Sequence, residues 1–374
     1  MLGMWRSGNR FTLLPEGARF LPSMLEAVEG ARHSILLELY LAESGHLSRV
    51  LIEALSAACQ RGVNVLVLLD GFGSLGLEEA DRQRMTEVGI ALRFYNPIRW
   101  WRFGRNLTRD HRKLLVVDGE VGFTGGFGAV DEFAEAWSEV AIRIEGPCIR
   151  DWVRLFARVW DSAASEGQGR REAVRSVNIN AVNVVTGYLG MRGRVVWGHG
   201  FRYQAIRHSL QHQASSTRKR LWICTPYFVP TFSMRRRLKR AARRGVDVQL
   251  LIAGQHHDHP GVRSAGQRFY ASLLKAGVRI HEFQPRFLHA KFSLADDWVT
   301  LGSCNFDHWS LQWNLEANQE VQDHRFAAEV AALFEQHFAR SVEITRAAWQ
   351  RRSLAQRCRE WGYGTLDSLV TRLR

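Results

Sequence analysis

His111-Arg-Lys113-Leu-Leu-Val-Val-Asp118 and His289-Ala-Lys291-Phe-Ser-Leu-Ala-Asp296 are two copies of one octamer, 178 residues apart (111 to 289). A single H-x-K is common by chance; two at equivalent places in a repeating chain are a specific signal. Each copy sets a histidine and a lysine two residues apart, ahead of an apolar run that ends at an aspartate. On an extended strand such residues share a face. Two domains facing each other would therefore bring two imidazoles and two ammonium groups into one cleft.

The surrounding sequence repeats as well. Ser34-Ile-Leu-Leu-Glu-Leu-Tyr40 and Leu221-Trp-Ile-Cys-Thr-Pro-Tyr227 read as buried strands. Each precedes a helix that stops at Arg-Gly-Val, Arg61-Gly62-Val63 and Arg244-Gly245-Val246, where the glycine suits a left-handed cap. Second apolar strands follow at Val65 to Leu69 and Val248 to Ile252. Another helix, a glycine stop (Gly89, Gly277) and a third strand ending near Pro97 or Pro285 complete each copy. This alternation predicts an α/β protein of two α/β/α domains, each a largely parallel sheet with helices on both faces. Trp152, Leu155, Phe156, Val159 and Trp160 have the spacing of a core-facing helix that closes the first domain. Residues 162–175, rich in Ser, Ala, Gly and Arg, read as a linker. The expected organisation is a first domain with linker over 1–175, a second over 176–344 and a basic amphipathic helical segment over 345–374.

With 374 residues, 46% of them hydrophobic, the chain can build two cores. Lys and Arg total 51 against 37 Asp and Glu, a net charge of +14. That excess favours an anionic partner, either nucleic acid or an acidic lipid surface. The five cysteines are scattered without a C-x-x-C pair, which argues against a disulfide framework or a zinc site and fits a reducing compartment. Arg6, Arg10, Glu16 and Arg19 interrupt the first twenty residues, so they do not read as a signal peptide. No stretch approaches the roughly 20 apolar residues of a membrane-spanning helix. A membrane partner would be met at its surface.

Two histidines and two lysines suit phosphodiester exchange. One imidazole attacks phosphorus to give a phosphohistidine; the other protonates the departing alkoxide and later deprotonates the incoming alcohol. The lysines hold the non-bridging oxygens. This chemistry calls for no metal and no cofactor. Glu139 follows His111 by 28 residues and Glu316 follows His289 by 27, which makes them candidate carboxylates to orient the imidazoles. Asp118 and Asp296, which complete the octamers, stand with His111, Lys113, His289 and Lys291 as catalytic candidates, although their place between an apolar strand and a turn suggests that they pin that turn. Gly125-Gly126-Phe127-Gly128 and Gly302-Ser303-Cys304-Asn305 come next. Small residues there would let backbone approach a phosphate, so Gly126, Ser303 and Asn305 are candidate phosphate-binding positions.

These motifs resemble those of the phospholipase D superfamily, whose repeated pattern is H-x-K-x4-D-x6-G-[GST]-x-N. The likeness runs through nearly the whole chain and is nearest to the bacterial cardiolipin synthases of the B type. Trp5-Arg6-Ser-Gly8-Asn9, Leu69-Asp-Gly71, Arg143-Ile-Glu-Gly-Pro147 and Asn314-Leu-Glu316-Ala-Asn318 carry that closer similarity. The resemblance implies a pseudo-two-fold pair of phospholipase D-like domains with one shared active site, complete within one chain. It implies His111 as nucleophile and Lys113, His289, Lys291 and Asn305 at the family's catalytic positions, with Glu139 and Glu316 supporting the histidines. The implied reaction is phosphatidyl transfer on anionic phospholipid (phosphatidylglycerol, giving cardiolipin), peripherally on the cytoplasmic face of the inner membrane. Two departures stand out: Gly128 replaces the first motif's asparagine, and only five residues separate Asp296 from Gly302.

The same site chemistry serves lipid enzymes and nucleases, so the substrate is argued from other segments. Ile98-Arg-Trp-Trp-Arg-Phe-Gly-Arg105 belongs to an insertion of the first half. Its Trp100, Trp101, Arg102 and Arg105 suit headgroup contact at a membrane interface, with base stacking as the rival use. Thr345 to Arg374 mixes aromatics and arginines and could dock on the second domain or lie on lipid. Arg235-Arg-Arg-Leu-Lys-Arg240 reads as a solvated helix face, with attraction to anionic headgroups as its other use. The loop His256-His257-Asp258-His259 follows a strand end, where open α/β sheets place binding loops, and reads as an active-site rim rather than a metal site.

Overall fold

A computed structural model of the chain describes residues 3–99, 106–169, 173–174, 177, 190–199, 203–307 and 313–352. The first half runs β1 (Arg6–Pro15), α1 (Gly17–Glu29), β2 (Ser34–Leu39), α2 (His46–Gln60), β3 (Asn64–Asp70), α3 (Glu79–Glu87), β4 (Ala91–Tyr95), β5 (Leu114–Val117), β6 (Val121–Gly125), β7 (Trp137–Ser138), β8 (Val140–Glu145), α4 (Ile149–Trp160) and β9 (Ser165–Gly167). The second runs β10 (Met191–His199), β11 (Tyr203–Gln204), α5 (Ala205–Ser216), β12 (Arg220–Thr225), α6 (Phe232–Arg243), β13 (Asp247–Ala253), α7 (Pro260–Gln267), α8 (Tyr270–Leu274) and β14 (Arg279–Phe283). It ends with β15 (Phe287–Leu288), β16 (Phe292–Ala295), β17 (Trp298–Gly302), β18 (Leu315–Gln322), α9 (His324–Ala339), β19 (Ser341–Glu343) and α10 (Arg346–Gln350).

The repeat extends to strand order. The first half pairs as β1-β8-β6-β5-β2-β3-β4-β9. The second pairs as β10-β18-β17-β16-β12-β13-β14-β19. Only β2-β3-β4 and β12-β13-β14 run parallel; the other pairings in both series are antiparallel. The sheets are thus mixed rather than largely parallel. The strand–helix–strand units supply the parallel cores, while the segments carrying the histidine motifs return as hairpins, which need no crossover helix. Antiparallel pairing of β1 with β10 joins the halves edge to edge.

Burial follows the sequence pattern. All six residues of β2 are buried, as a strand covered on both faces requires. Gly62, Gly89, Gly245 and Gly277 sit at φ +85° to +94°, the left-handed conformation that ends the four helices before the second and third strands. One apolar cluster packs α1, α2 and α3 on the outer face of the first sheet, and another packs α5, α6 and α8 on the second. The largest lies between the halves, where Trp152, Phe156 and Trp160 of α4 share a core with Phe326, Val330 and Phe334 of α9. Each large buried side chain there contributes about 1.5–3 kcal/mol, so this shared core resists separation of the two units.

Two segments differ from their sequence reading. The stretch read as linker contains β9, an edge strand on β4 whose Ser165 carbonyl accepts from the Arg93 guanidinium at 2.5 Å. At the C-terminus α10 docks on the second half, its buried Trp349 ring 4.9 Å from that of Tyr270. The rest of the expected helical segment, 353–374, lies outside the described residues.

Candidate active site

The two octamers meet, and they meet by exchanging backbone hydrogen bonds across the halves. His111 N–H donates to the Leu315 carbonyl at 3.0 Å, and Leu315 N–H donates to that of Arg109 at 2.8 Å. In the mirrored place, His289 and Ala290 N–H groups donate to the Ser138 carbonyl at 2.8 and 3.1 Å, beside the short parallel pairing of β7 with β15. Both histidine–lysine pairs lie just ahead of β5 and β16 rather than within a strand.

This stitching sets each histidine beside the carboxylate of the opposite half. His289 Nδ1 lies 2.6 Å from Glu139, and His111 Nδ1 lies 3.0 Å from Glu316. An ionised carboxylate can only accept, so beside it Nδ1 carries the proton and Nε2 is left with its lone pair; Glu316, which burial raises to about 8, reaches that state only on the alkaline side of neutral. Glu139 and Glu316 are both buried, and each is held in turn. Val140 N–H donates to Glu139 at 2.9 Å, and the Ser303 hydroxyl donates to Glu316 at 2.5 Å.

These contacts revise the expectation for the turn residues. A Cβ on Gly126 would stand 2.2 Å from Glu139 Oε2, so Gly126 is small to make room for the carboxylate. Ser303 supports Glu316 in the matching place. Both positions therefore serve the carboxylates, which need donors in a buried setting. Asn305, the third of the set, does line the cleft. Gly128 faces Leu41 and Phe133: a Cβ there would stand 2.9 Å from the Leu41 carbonyl and 2.9 Å from the Phe133 ring.

Asp118 and Asp296 do not join the cleft. Asp118 accepts from the N–H groups of Arg32, His33 and Ser34 at 2.8–2.9 Å, and Asp296 from those of Arg218, Lys219 and Arg220 at 2.9–3.1 Å. Both adopt positive φ, +53° and +52°. They tie the turn after β5 or β16 to the chain entering β2 or β12, so the catalytic role expected of them is corrected to a structural one.

The cleft encloses about 430 Å³ and is lined by Tyr40, His111, Trp137, Tyr227, His289 and Asn305, among others. Trp137 and Phe133 pack on the His289 ring at 4.9 and 5.4 Å, and Tyr40 on His111 at 4.8 Å. Sequence reasoning missed these aromatic walls. Tyr40 directly follows β2 and Tyr227 lies two residues past the end of β12, 187 residues on (40 to 227), and the repeat alone could have marked them.

Charge in the cleft is set by burial. Both imidazoles are pushed well below the usual histidine value, first by burial and then by Lys113 and Lys291, so they are neutral at neutral pH. Burial lowers Lys113 to about 7 and Lys291 to about 8, against the pull of Glu316 and Glu139. Burial also raises Glu316 to about 8, with Lys113 opposing it. The Lys291 ammonium lies 2.9 Å from His289 Nε2. Beneath the first motif, a second ionic group fixes the backbone. Arg112 donates to Glu38 and, at 3.0 Å, to Asp110, whose own N–H donates to Asp70 at 2.8 Å. The Arg112 and Asp110 positions are Ala290 and Leu288 in the second half, so the two half-sites are not equivalent.

Trp100, Trp101, Arg102 and Arg105, the expected headgroup contacts, lie outside the described residues. Asp258 and His259, from the loop expected at the rim, line the cleft.

A family model described as "Cardiolipin synthase, PLD-like domain" matches residues 24–160 and 210–338, one match for each half. Cardiolipin synthase B of Escherichia coli K12 is 34% identical over 334 residues, covering 86% of this chain and 78% of that protein. Cardiolipin synthase 1 of Bacillus cereus is 31% identical over 358 residues, covering 93% and 70%. Among solved structures, the phosphatidylserine synthase of Haemophilus influenzae Rd KW20 superposes with a TM-score of 0.76 over 97% of this chain and 93% of that one. At 14% identity, that likeness concerns the fold alone.

Proposed function

Because this chain belongs to the phospholipase D-like cardiolipin synthase family, we propose that its two histidines carry a phosphatidyl group from one phosphatidylglycerol to another, making cardiolipin. The observation that carries this reading is the pair of imidazoles lining one cleft, each anchored at Nδ1 by a carboxylate of the other half and each with a buried lysine beside it.

His111 Nε2 attacks phosphorus, and the bond from phosphorus to the glycerol oxygen breaks. His289 supplies the proton to that oxygen. The negative charge of the phosphodiester, arriving between Lys113 and Lys291, offsets the cations that hold His289 neutral, while Glu139 stabilises the imidazolium. A hydroxyl of the second phosphatidylglycerol then gives its proton to His289 and attacks phosphorus. The phosphorus–nitrogen bond breaks, and the free His111 and cardiolipin result. The lysines and Asn305 bind the non-bridging oxygens, whose charge they offset in both transition states. Assignment of His111 as nucleophile is supported by its more accessible ring: its side chain is 12% exposed against 7% for His289.

Contact with the bilayer is peripheral in this proposal, on the cytoplasmic face of the inner membrane. A net charge of +14 draws the chain to anionic headgroups, and among the described residues no helix is long and apolar enough to cross a membrane.

The test is incubation of purified protein with phosphatidylglycerol vesicles, with lipid products identified by mass spectrometry and His111→Ala and His289→Ala as controls. Cardiolipin and free glycerol, lost in both variants, are expected. Phosphatidic acid alone would make the protein a hydrolase, and cleavage of single-stranded DNA without lipid products would remove the lipid reading.

A further inference from the structure

Lys113 and Lys291 lie buried beside the two histidines, yet the second-half wall of the cleft carries a fixed carboxylate. Asp258, on the loop after β13, lines the cleft and keeps its side chain 27% exposed. The Tyr227 hydroxyl donates to it, and the His257 ring lies 3.2 Å away on its other oxygen. Tyr227 and His257 both pack on Phe287, at 6.4 and 5.4 Å, and Phe287 packs on His289 at 5.7 Å. The carboxylate is therefore braced by the same aromatic group that flanks one reacting imidazole. Burial would raise its pKa, but the adjoining His257 ring and the hydrogen bond from Tyr227 outweigh that and hold it ionised, at about 2. Two other carboxylates at the mouth, Glu43 and Glu132, are exposed. In the first half, Tyr40 occupies the place of Tyr227 and packs on His111 and Lys113 instead.

An ionised carboxylate repels the oxygens of a phosphodiester, so Asp258 must face the part of the substrate that is not phosphate. That part is the alcohol. We propose that Asp258, braced by Tyr227, recognises the alcohol by accepting hydrogen bonds from the free hydroxyls of a polyol headgroup as it leaves or attacks beside His289. This assignment rests on the phosphatidyl-transfer reading and adds the alcohol subsite to it. His289, the acid and base for the alcohol oxygen, stands in the same half. The His259 ring stands 3.8 Å from the same carboxylate.

Acceptor competition tests this. The full chain is given phosphatidylglycerol vesicles with deuterated glycerol, 1-propanol and ethanolamine together, and the phosphatidyl products are counted by mass spectrometry. Asp258→Asn is expected to lower the glycerol-to-propanol product ratio about 10-fold, the scale for a site that loses a hydroxyl partner. Tyr227→Phe should lower it in the same direction by about 3-fold, since the carboxylate stays but loses its brace. A purely structural role would slow all acceptors alike and leave the ratio unmoved, which overturns the assignment. A larger loss for ethanolamine than for glycerol would overturn it in favour of an ammonium subsite. Absence of any phosphatidyl transfer in the unsubstituted protein would strike the function itself, an outcome distinct from transfer with an unchanged ratio.

Discussion

Glu139 of the first half sits 2.6 Å from Nδ1 of His289 in the second, and Glu316 reciprocates with His111 at 3.0 Å. The exchange predicts which variants share a phenotype. Glu139→Gln should slow both steps His289 serves: formation of the phosphatidyl-enzyme, where it protonates the leaving glycerol, and its turnover, where it deprotonates the acceptor. Glu316→Gln should impair formation of that intermediate. Each should lower kcat by about 10–100-fold. Quenching with labelled lipid separates them: more trapped intermediate is expected in Glu139→Gln than in Glu316→Gln. The reverse order would pair each glutamate functionally with its own half.

Lysine charge predicts an alkaline limb. Lys113 and Lys291 bind phosphate oxygens only when protonated, and burial lowers them to about 7 and 8. kcat/KM should therefore fall as pH rises from about 7 to 9, with kcat falling later because bound phosphate favours the ammonium forms. Unfolding would not explain the loss. Between the folded values and the ordinary lysine value the unfolded chain binds more protons, so these two groups make stability rise with pH in that window. A pH–rate series beside thermal melts separates the two effects.

Restoring the family asparagine at Gly128 should not improve the enzyme. The Cβ would press on the Leu41 carbonyl and the Phe133 ring, and Phe133 packs on His289. Gly128→Asn should cost about 1–3 kcal/mol of stability in urea melts and lower kcat. A gain in rate would mean that the Leu41–Phe133 contact yields easily.

Asp118 separates fold from chemistry. Asp118→Ala removes the acceptor of three N–H groups at the entry to β2 and leaves alanine at φ +53°. The N–H groups of Arg32 and His33 are exposed and regain water, so the loss should be about 1–2 kcal/mol. The kcat per folded molecule should stay within about 3-fold of the unsubstituted value, measured by activity against folded fraction.

Legibility in the sequence tracked locality. Strands such as Ser34–Leu39 and the helix stops at Gly62 and Gly245 were readable because apolar runs and left-handed caps are local. The histidine–lysine pairs and their carboxylates were found because the repeat placed them in register. What the repeat could not show is that a glutamate serves the opposite copy, since spacing within a chain is silent about contacts between copies. Antiparallel return of β5 and β16 was equally hidden, as an apolar run carries no direction. Asp110, Arg112 and Glu38 form a buried group of opposite charges that no pattern announced, although a glutamate inside the apolar run of β2 was a visible anomaly.

Reciprocal anchoring also sets when catalysis can begin during synthesis. The first octamer leaves the ribosome with its histidine and lysine complete, but the carboxylate that anchors its ring is Glu316, made about two hundred residues later. At the ~5–20 residues per second of translation, that interval is about 10–40 s. Throughout it, the nascent chain has a phosphodiester-binding motif without an anchored nucleophile, and the general acid is also missing until His289 is added. The chemistry therefore arrives only when both halves are present, and a fragment that stops short of Glu316 holds an unanchored nucleophile.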